Sequence, residues 1–163
     1  MESEVKEAGD TIIIAPHPDD EIIGCYEQLI QDKPSVVVYS GDIDADRKQK
    51  ALKLKDHVNV KFQLFSMTVP QPFLKKENVF YFPDPIYELH PTHRHWGYLG
   101  EQLARQKFKV FFYVTNMLAP YIHEVEEPEK KRDLLDTVYP DQKSLWEHDH
   151  KYFLFEGKCI WIF

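Results

Sequence analysis

Apolar runs alternate with amphipathic or charged segments along most of this chain. The runs predict five strands, at residues 11–15, 35–39, 60–65, 79–82 and 109–115. The segments between and after them predict four helices: one that starts at Asp19 or Asp20, one over 44–57, one from His93 with Thr92 as its N-cap, and one over 126–136. Residues 152–155 and 158–163, split by Glu156-Gly157, predict a terminal hairpin. This order predicts an α/β fold with a mostly parallel sheet and an antiparallel hairpin at its end.

Composition narrows the class of protein. The 163 residues fit one domain, which we place at residues 11–163 after a flexible acidic tail at 1–10. The formal net charge of −7 argues against a nucleic-acid partner, and no apolar run is long enough to span a membrane. Cys25 and Cys159 lie far apart, which predicts two reduced thiols in a cytoplasmic protein. A small-molecule partner is expected, and self-association stays open.

Ionisable side chains crowd the end of the first predicted strand. His17, Asp19, Asp20 and Glu21 follow within six residues of Ala15. The loop between a parallel strand and the next helix is where open α/β sheets place their ligands. Several carboxylates in such a loop are costly unless a cation neutralises them, and a divalent metal is the simplest one. We therefore expect a metal site here, with His17 and Asp20 converging on one point.

A catalytic metal site needs about three protein ligands and one open position. The best source of a third ligand is the group of imidazoles at the start of the third predicted helix, His90, His93 and His95. Their spacing does not decide which of them binds. Two histidines and one aspartate suit Zn²⁺ in a hydrolase and also form the facial triad of non-haem Fe²⁺ enzymes. The spare carboxylate of Asp19, a candidate general base, and the α/β pattern favour hydrolysis.

Four segments, in order, resemble one known family. Residues 15–21 (APHPDDE) are similar to the AHPDDE signature of the LmbE-like, or PIG-L, de-N-acetylases. Residues 90–93 (HPTH) resemble their HPDH motif, 82–84 (FPD) a short segment upstream of it, and 139–142 (YPDQ), more loosely, a YPSQ segment. The resemblance implies a Rossmann-like three-layer fold and a zinc-dependent hydrolase that removes the N-acetyl group from a small amino sugar or glycoconjugate. It implies three zinc ligands, His17, Asp20 and His93.

The same resemblance implies roles for four further residues. Asp19 would be the general base, and His90 would stabilise the oxyanion and could protonate the leaving amine. Arg47 and Asp84 would contact the substrate.

Two positions depart from the family pattern. Thr92 stands where the family usually has Asp or Asn, and Lys50 stands where it commonly has Glu. These departures keep open a second hypothesis, a member that binds a sugar or a metal without turnover. An Fe²⁺ enzyme with the same triad is the third.

Overall fold

The computed structural model of the chain describes residues 9–162. Its strands are β1 (Thr11–Ala15), β2 (Ser35–Tyr39), β3 (Val60–Phe65), β4 (Val79–Pro83), β5 (Lys109–Tyr113), β6 (Ile122–Glu124) and β7 (Phe155–Cys159). Its helices are α1 (Asp20–Leu29), α2 (Ala45–Ala51), α3 (Pro91–Arg105), α4 (Pro128–Val138), α5 (Lys143–His148) and α6 (Lys151–Leu154). Short 3-10 helices cover Leu52–Asp56, Gln71–Phe73 and Pro140–Gln142. Residues 1–8 of the predicted tail, and Phe163 of the predicted hairpin, lie outside the described residues.

The strands form one seven-stranded sheet in the order β3-β2-β1-β4-β5-β7-β6. The first five strands in this order are parallel, and β7 pairs antiparallel with both β5 and β6. The α/β fold with a mostly parallel sheet is confirmed. The chain builds outward from β1 to β3 and then returns to place β4 on the other side of β1. This reversal opens a crevice beyond the carboxyl ends of β1 and β4, where open α/β sheets bind their ligands.

Helices cover both faces of the sheet. Alternate residues of β1 point to opposite sides, so Ile13 and Ala15 belong to one apolar cluster and Ile12 and Ile14 to the other. The first cluster lies under α1, α4, α5 and α6, and the second under α3. None of the helices within residues 9–162 combines the length and apolar character needed to cross a bilayer. Both cysteines are free thiols, as predicted.

The antiparallel end of the sheet is built differently from the predicted hairpin. Lys151–Leu154 is helical, and β7 runs straight through Glu156-Gly157, where the sequence pattern predicts a turn. The prediction failed because one partner that allows Glu156 to be buried in a strand, Lys131, lies 25 positions earlier in the chain and could not be identified from the sequence. Lys131 lies 3.7 Å from the Glu156 carboxylate and Lys158 lies 2.6 Å from it, so the buried charge is paired. The strand β6, which also pairs with β7, was not predicted.

A close approach of α3 to the end of β4 depends on Gly97. A Cβ atom at this position would lie 2.6 Å from the backbone nitrogen of Pro85 and 2.7 Å from the carbonyl oxygen of Pro83. Because these are backbone atoms, neither can move without shifting the strand end. Gly97 follows His93 by one helical turn, so the same contact positions the first turn of α3.

We expect Gly97→Ala to lower the free energy of unfolding by about 1–3 kcal/mol, the usual cost of overpacking. Alanine is the better helix former by up to about 1 kcal/mol, which is too little to offset the clash. Urea unfolding of the variant measures the difference. Gly157→Ala is the matched control, because its Cβ would come no closer than 3.0 Å to a side-chain atom of Ile122. An equal loss in both variants would contradict the argument.

Candidate metal centre

Three side chains from two separate segments of the chain meet at the crevice between β1 and β4. His17 lies in the loop after β1, Asp20 is the first residue of α1, and His93 lies in the first turn of α3. Asp20 and His93 are buried, and the His17 side chain is about a quarter exposed, at 28%. His93 lies 73 positions after Asp20 in the sequence, and the parallel topology brings the two motifs to the same edge of the sheet. They are the candidate metal-ligating group that the described residues contain.

The spacing of their ligand atoms fits a metal ion. Asp20 Oδ2 lies 3.0 Å from His93 Nε2 and 3.4 Å from His17 Nδ1, and the two imidazole nitrogens are 3.2 Å apart. Ligand bonds of about 2.0–2.1 Å in a tetrahedral arrangement would separate neighbouring ligand atoms by roughly 3.3 Å. Two imidazoles and one carboxylate are also a donor set that zinc commonly takes. The predicted triad is therefore assembled in a geometry that could hold Zn²⁺.

Charge in the triad favours an anionic Asp20. Burial by itself would raise the pKa of Asp20, but His93 and His17 lower it below its ordinary value through their charges and hydrogen bonds. Burial would lower the pKa of His93, yet Asp20 and Glu88 raise it to about 10. Without a cation, a proton on His93 thus neutralises Asp20. A metal ion binding here would displace that proton.

The loop that carries Asp19 is held by its own hydrogen bonds. The backbone N–H of His17 donates to Asp20 Oδ2 at 2.8 Å, and Asp19 adopts a left-handed conformation with φ of 113°. A non-glycine residue at such a φ is strained and persists where its surroundings hold it. The Asp19 N–H donates to Glu21 Oε2 at 2.9 Å, and Glu21 Oε1 accepts hydrogen bonds from the hydroxyls of Tyr39 and Tyr139. Tyr139, from the segment 139–142 with the loosest resemblance, thus holds Glu21 of the first motif in place.

Asp19 lines the cavity beside the triad without joining it. It is 6% exposed, and burial, together with the carboxylates of Asp20 and Glu21, raises its pKa well above the ordinary value. The guanidinium of Arg47 lies 4.0 Å from its carboxylate. A carboxylate in this position can accept a proton from a water held near the triad.

Arg47 lines the same cavity, at the start of α2. Its Nη2 donates to the carbonyl oxygen of Pro18 at 2.8 Å, so part of its hydrogen-bonding capacity supports the metal loop. Lys50, one turn later, bridges Asp46 and Asp141 at 2.9 and 3.2 Å. Lys50, which stands where the LmbE-like family commonly has glutamate, therefore ties α2 to the segment Pro140–Gln142. Gln142 of this segment lines the cavity.

His90 also lines the cavity, with its ring centroid 5.0 Å from that of His17 and 5.1 Å from that of His93. It is the N-cap of α3, the position predicted for Thr92, because its Nδ1 accepts the backbone N–H of Thr92 at 3.1 Å. Partial burial and the charges of His93 and His17 lower the pKa of His90. The cap takes the lone pair of Nδ1 and leaves Nε2 as the hydrogen-bond donor of a neutral ring. The backbone N–H of Thr92 thus orients the His90 ring, and this contact does not depend on the side chain at position 92.

Asp84, which the resemblance assigns to the substrate, is not among the residues that line the cavity. The side chain is fully buried, and its Oδ1 accepts the backbone N–H groups of Ile86 and Tyr87. Its Oδ2 accepts the Tyr121 hydroxyl at 2.5 Å and the indole N–H of Trp161 at 3.0 Å. With both oxygens occupied by the chain, Asp84 stabilises the turn after β4. His95, the remaining imidazole of the group, is exposed and packs edge-on against Trp96.

Several cavity residues had no signal in the sequence. The cavity has a volume of about 420 Å³, and its wall includes Glu88 and Thr115 beside His93. Its rim contains residues from distant parts of the chain: Leu89, Asn116, Gln142, Leu145 and Tyr152. Apart from Gln142, which ends the segment 139–142, none of them belongs to a charged cluster or a motif, and only the fold brings them to the crevice. For Glu88, the one signal in the sequence is its position two residues before the second motif.

A scan of the chain against protein-family models found no match, and a search of the curated proteins found none either. The chemistry of this site is therefore argued from its own residues and from the motifs that the sequence carries.

Proposed function

We propose that this chain is a metal-dependent amide hydrolase that removes an N-acetyl group from an amino sugar or its conjugate, with Zn²⁺ as the metal. One observation carries the proposal. Three ligand atoms converge within 4.8 Å of one another while a fourth acidic side chain, Asp19, lines the same cavity outside the group. Three ligands leave a position open for water or substrate, and a separate carboxylate can manage the proton.

The chain's own residues divide the work. Zn²⁺ bound to His17, Asp20 and His93 would supply a Lewis acid that polarises an amide carbonyl and lowers the pKa of water. Asp19 takes the proton from the attacking water and can return it to the leaving amine. The Nε2–H of His90 donates a hydrogen bond to the negative charge that develops on the carbonyl oxygen of the substrate. Arg47 holds the loop of Pro18 and keeps a positive charge beside Asp19.

The amino-sugar substrate rests on the motif resemblance, and the cavity agrees with it in size and polarity. A volume of about 420 Å³ lies at the lower end of the range for small-molecule sites. Polar side chains line its floor, and Leu89, Leu145 and Tyr152 form apolar parts of its rim. A sugar ring could form hydrogen bonds with the polar side chains through its hydroxyls and pack its C–H faces against the apolar ones.

Hydrolysis is favoured over the two other hypotheses by particular contacts. A facial-triad Fe²⁺ enzyme has no need of the carboxylate at Asp19, which is held in a strained conformation beside the triad. A member that binds without turnover was suggested by Thr92 and Lys50. Both positions have supporting roles, because Thr92 orients His90 through its backbone N–H and Lys50 pairs with Asp141.

The test begins with protein purified without added metal. We expect about one equivalent of zinc per chain by elemental analysis, and release of acetate and a primary amine from at least one member of a panel of N-acetylated amino sugars. Chelation should abolish the release, and added Zn²⁺ should restore it. Bound zinc without hydrolysis of any panel member would favour the binding protein, and oxygen-dependent chemistry after loading with Fe²⁺ would favour the oxygenase.

A further inference from the structure

We infer that Glu88 is a positioning residue for the metal ligand His93, and that its carboxylate strengthens metal binding without contacting the metal. The inference rests on the proposed function. It concerns a residue in the turn between β4 and α3 that none of the four sequence motifs contains.

Glu88 is a buried carboxylate whose ion-pair partner is an imidazole. It is 1% exposed, and within residues 9–162 the one ion pair found for it is with His93, at 3.3 Å between Oε1 and Nδ1. Carboxylates are costly to bury unless they are paired and hydrogen-bonded. A glutamate that served only to anchor its turn could be replaced by a neutral residue at lower cost. A carboxylate at this place therefore indicates a role beyond the turn, at the ring of His93 that it faces.

The carboxylate is held so that one oxygen faces His93. Its Oε1 accepts the backbone N–H of Thr115 at 2.7 Å and the Thr115 hydroxyl at 2.9 Å. Its Oε2 lies 3.1 Å from the same hydroxyl and 3.4 Å from Nδ2 of Asn116. Thr115 and Asn116 follow β5 after a single intervening residue, so the end of an interior strand fixes the carboxylate. Glu88 is thus rigid enough to orient the ring that it contacts.

The two nitrogens of His93 then have separate tasks. Nε2 faces Asp20 at 3.0 Å and His17 at 3.2 Å, which is the ligand side. Nδ1 faces Glu88, and a proton kept on Nδ1 by that carboxylate leaves the lone pair of Nε2 free for a metal ion. A carboxylate behind a ligating histidine also makes the ring a stronger donor, and removing such a partner typically weakens metal binding 10- to 100-fold.

The experiment compares Zn²⁺ affinity by competition with a chromogenic chelator in wild-type protein, Glu88→Gln and Glu88→Asp. Glutamine keeps an acceptor near Nδ1 but loses the charge, so we expect affinity to fall roughly 10- to 100-fold. Aspartate keeps the charge on a shorter side chain, and we expect a smaller loss. The absorption bands of the Co²⁺-loaded protein should shift in Glu88→Gln, because they report the donor strength of the ligands.

Glu156→Gln is the matched control. Glu156, in β7, is as buried as Glu88, but it pairs with Lys131 and Lys158 and is not among the residues that line the cavity. It should lower the melting temperature and leave both Zn²⁺ affinity and the Co²⁺ spectrum unchanged. If wild-type protein binds Zn²⁺ and Glu88→Gln binds it equally tightly, the inference fails while the proposed function stands. If wild-type protein binds no metal, the proposed function itself fails.

Discussion

Asp20→Ala is expected to leave the purified protein almost free of zinc, with an affinity lower by a factor on the order of 100 or more. A structural zinc site with four ligands is worth about 10–16 kcal/mol, so one ligand contributes roughly 3 kcal/mol. Asp20 has a second effect, because its carboxylate contacts both imidazoles of the triad, at 3.0 Å from His93 and 3.4 Å from His17. Without it, His17 and His93 would face each other with no anion between them. Elemental analysis of protein purified without added metal measures the result.

The same residue also supports the loop, which the experiment must separate from ligation. The backbone N–H of His17 donates to Asp20 Oδ2 at 2.8 Å, and alanine would remove this bond. Asp20→Asn keeps an oxygen for the bond but has no charge, so it should preserve the loop and still lose most of the zinc. Asp42→Asn, at an exposed carboxylate in the loop after β2, is the control and should retain it. Full zinc content in Asp20→Ala would remove Asp20 from the ligand set.

The first motif could be interpreted from the sequence because its geometry is local. An apolar strand, a short loop and a helix start are encoded within residues 11–29, and parallel pairing sends the end of β1 to the edge of the sheet. His93 was predicted by the resemblance, and the topology explains the outcome, since β4 pairs directly with β1. Where the pattern of one strand and the helix after it decides the local structure, as at β1 and α1, the prediction agrees with the structure. At the start of α3 it does not, because the N-cap is His90 and not the predicted Thr92.

The orientation of Asp84 and of Glu88 could not be predicted from the sequence. Both are buried acidic residues between β4 and α3, four positions apart, and the sequence offers no means to tell which one faces the cavity. Asp84 is turned towards Tyr121 and Trp161 from the far end of the chain, whereas Glu88 is turned towards Thr115 and His93. The contacts with Thr115, Tyr121 and Trp161 that turn the two side chains join residues 27 to 77 positions apart. The prediction of a terminal hairpin failed for a similar reason, because one partner of the buried Glu156 is Lys131, 25 positions earlier in the chain.

Asp19→Asn is expected to retain most of the zinc and to lose turnover by a factor of about 10² to 10⁴, the usual contribution of a general base. Asparagine is the better substitution here than alanine, because the residue has a φ of 113° and asparagine tolerates positive φ. The backbone bond from Asp19 to Glu21, at 2.9 Å, does not depend on the side chain, so the loop should keep its form. The amide can no longer accept the proton from water, while the three ligands stay in place.

Steady-state kinetics and zinc content, measured on the same preparations, separate the possible roles of Asp19. Loss of kcat with zinc retained is the signature of a base. Asp42→Asn is again the control, and both its kcat and its zinc content should match the wild type. Undiminished turnover in Asp19→Asn would exclude Asp19 as the base. Parallel loss of zinc and turnover would make it a fourth ligand, and the open position that hydrolysis requires would then have to come from the movement of His17, the most exposed side chain of the triad.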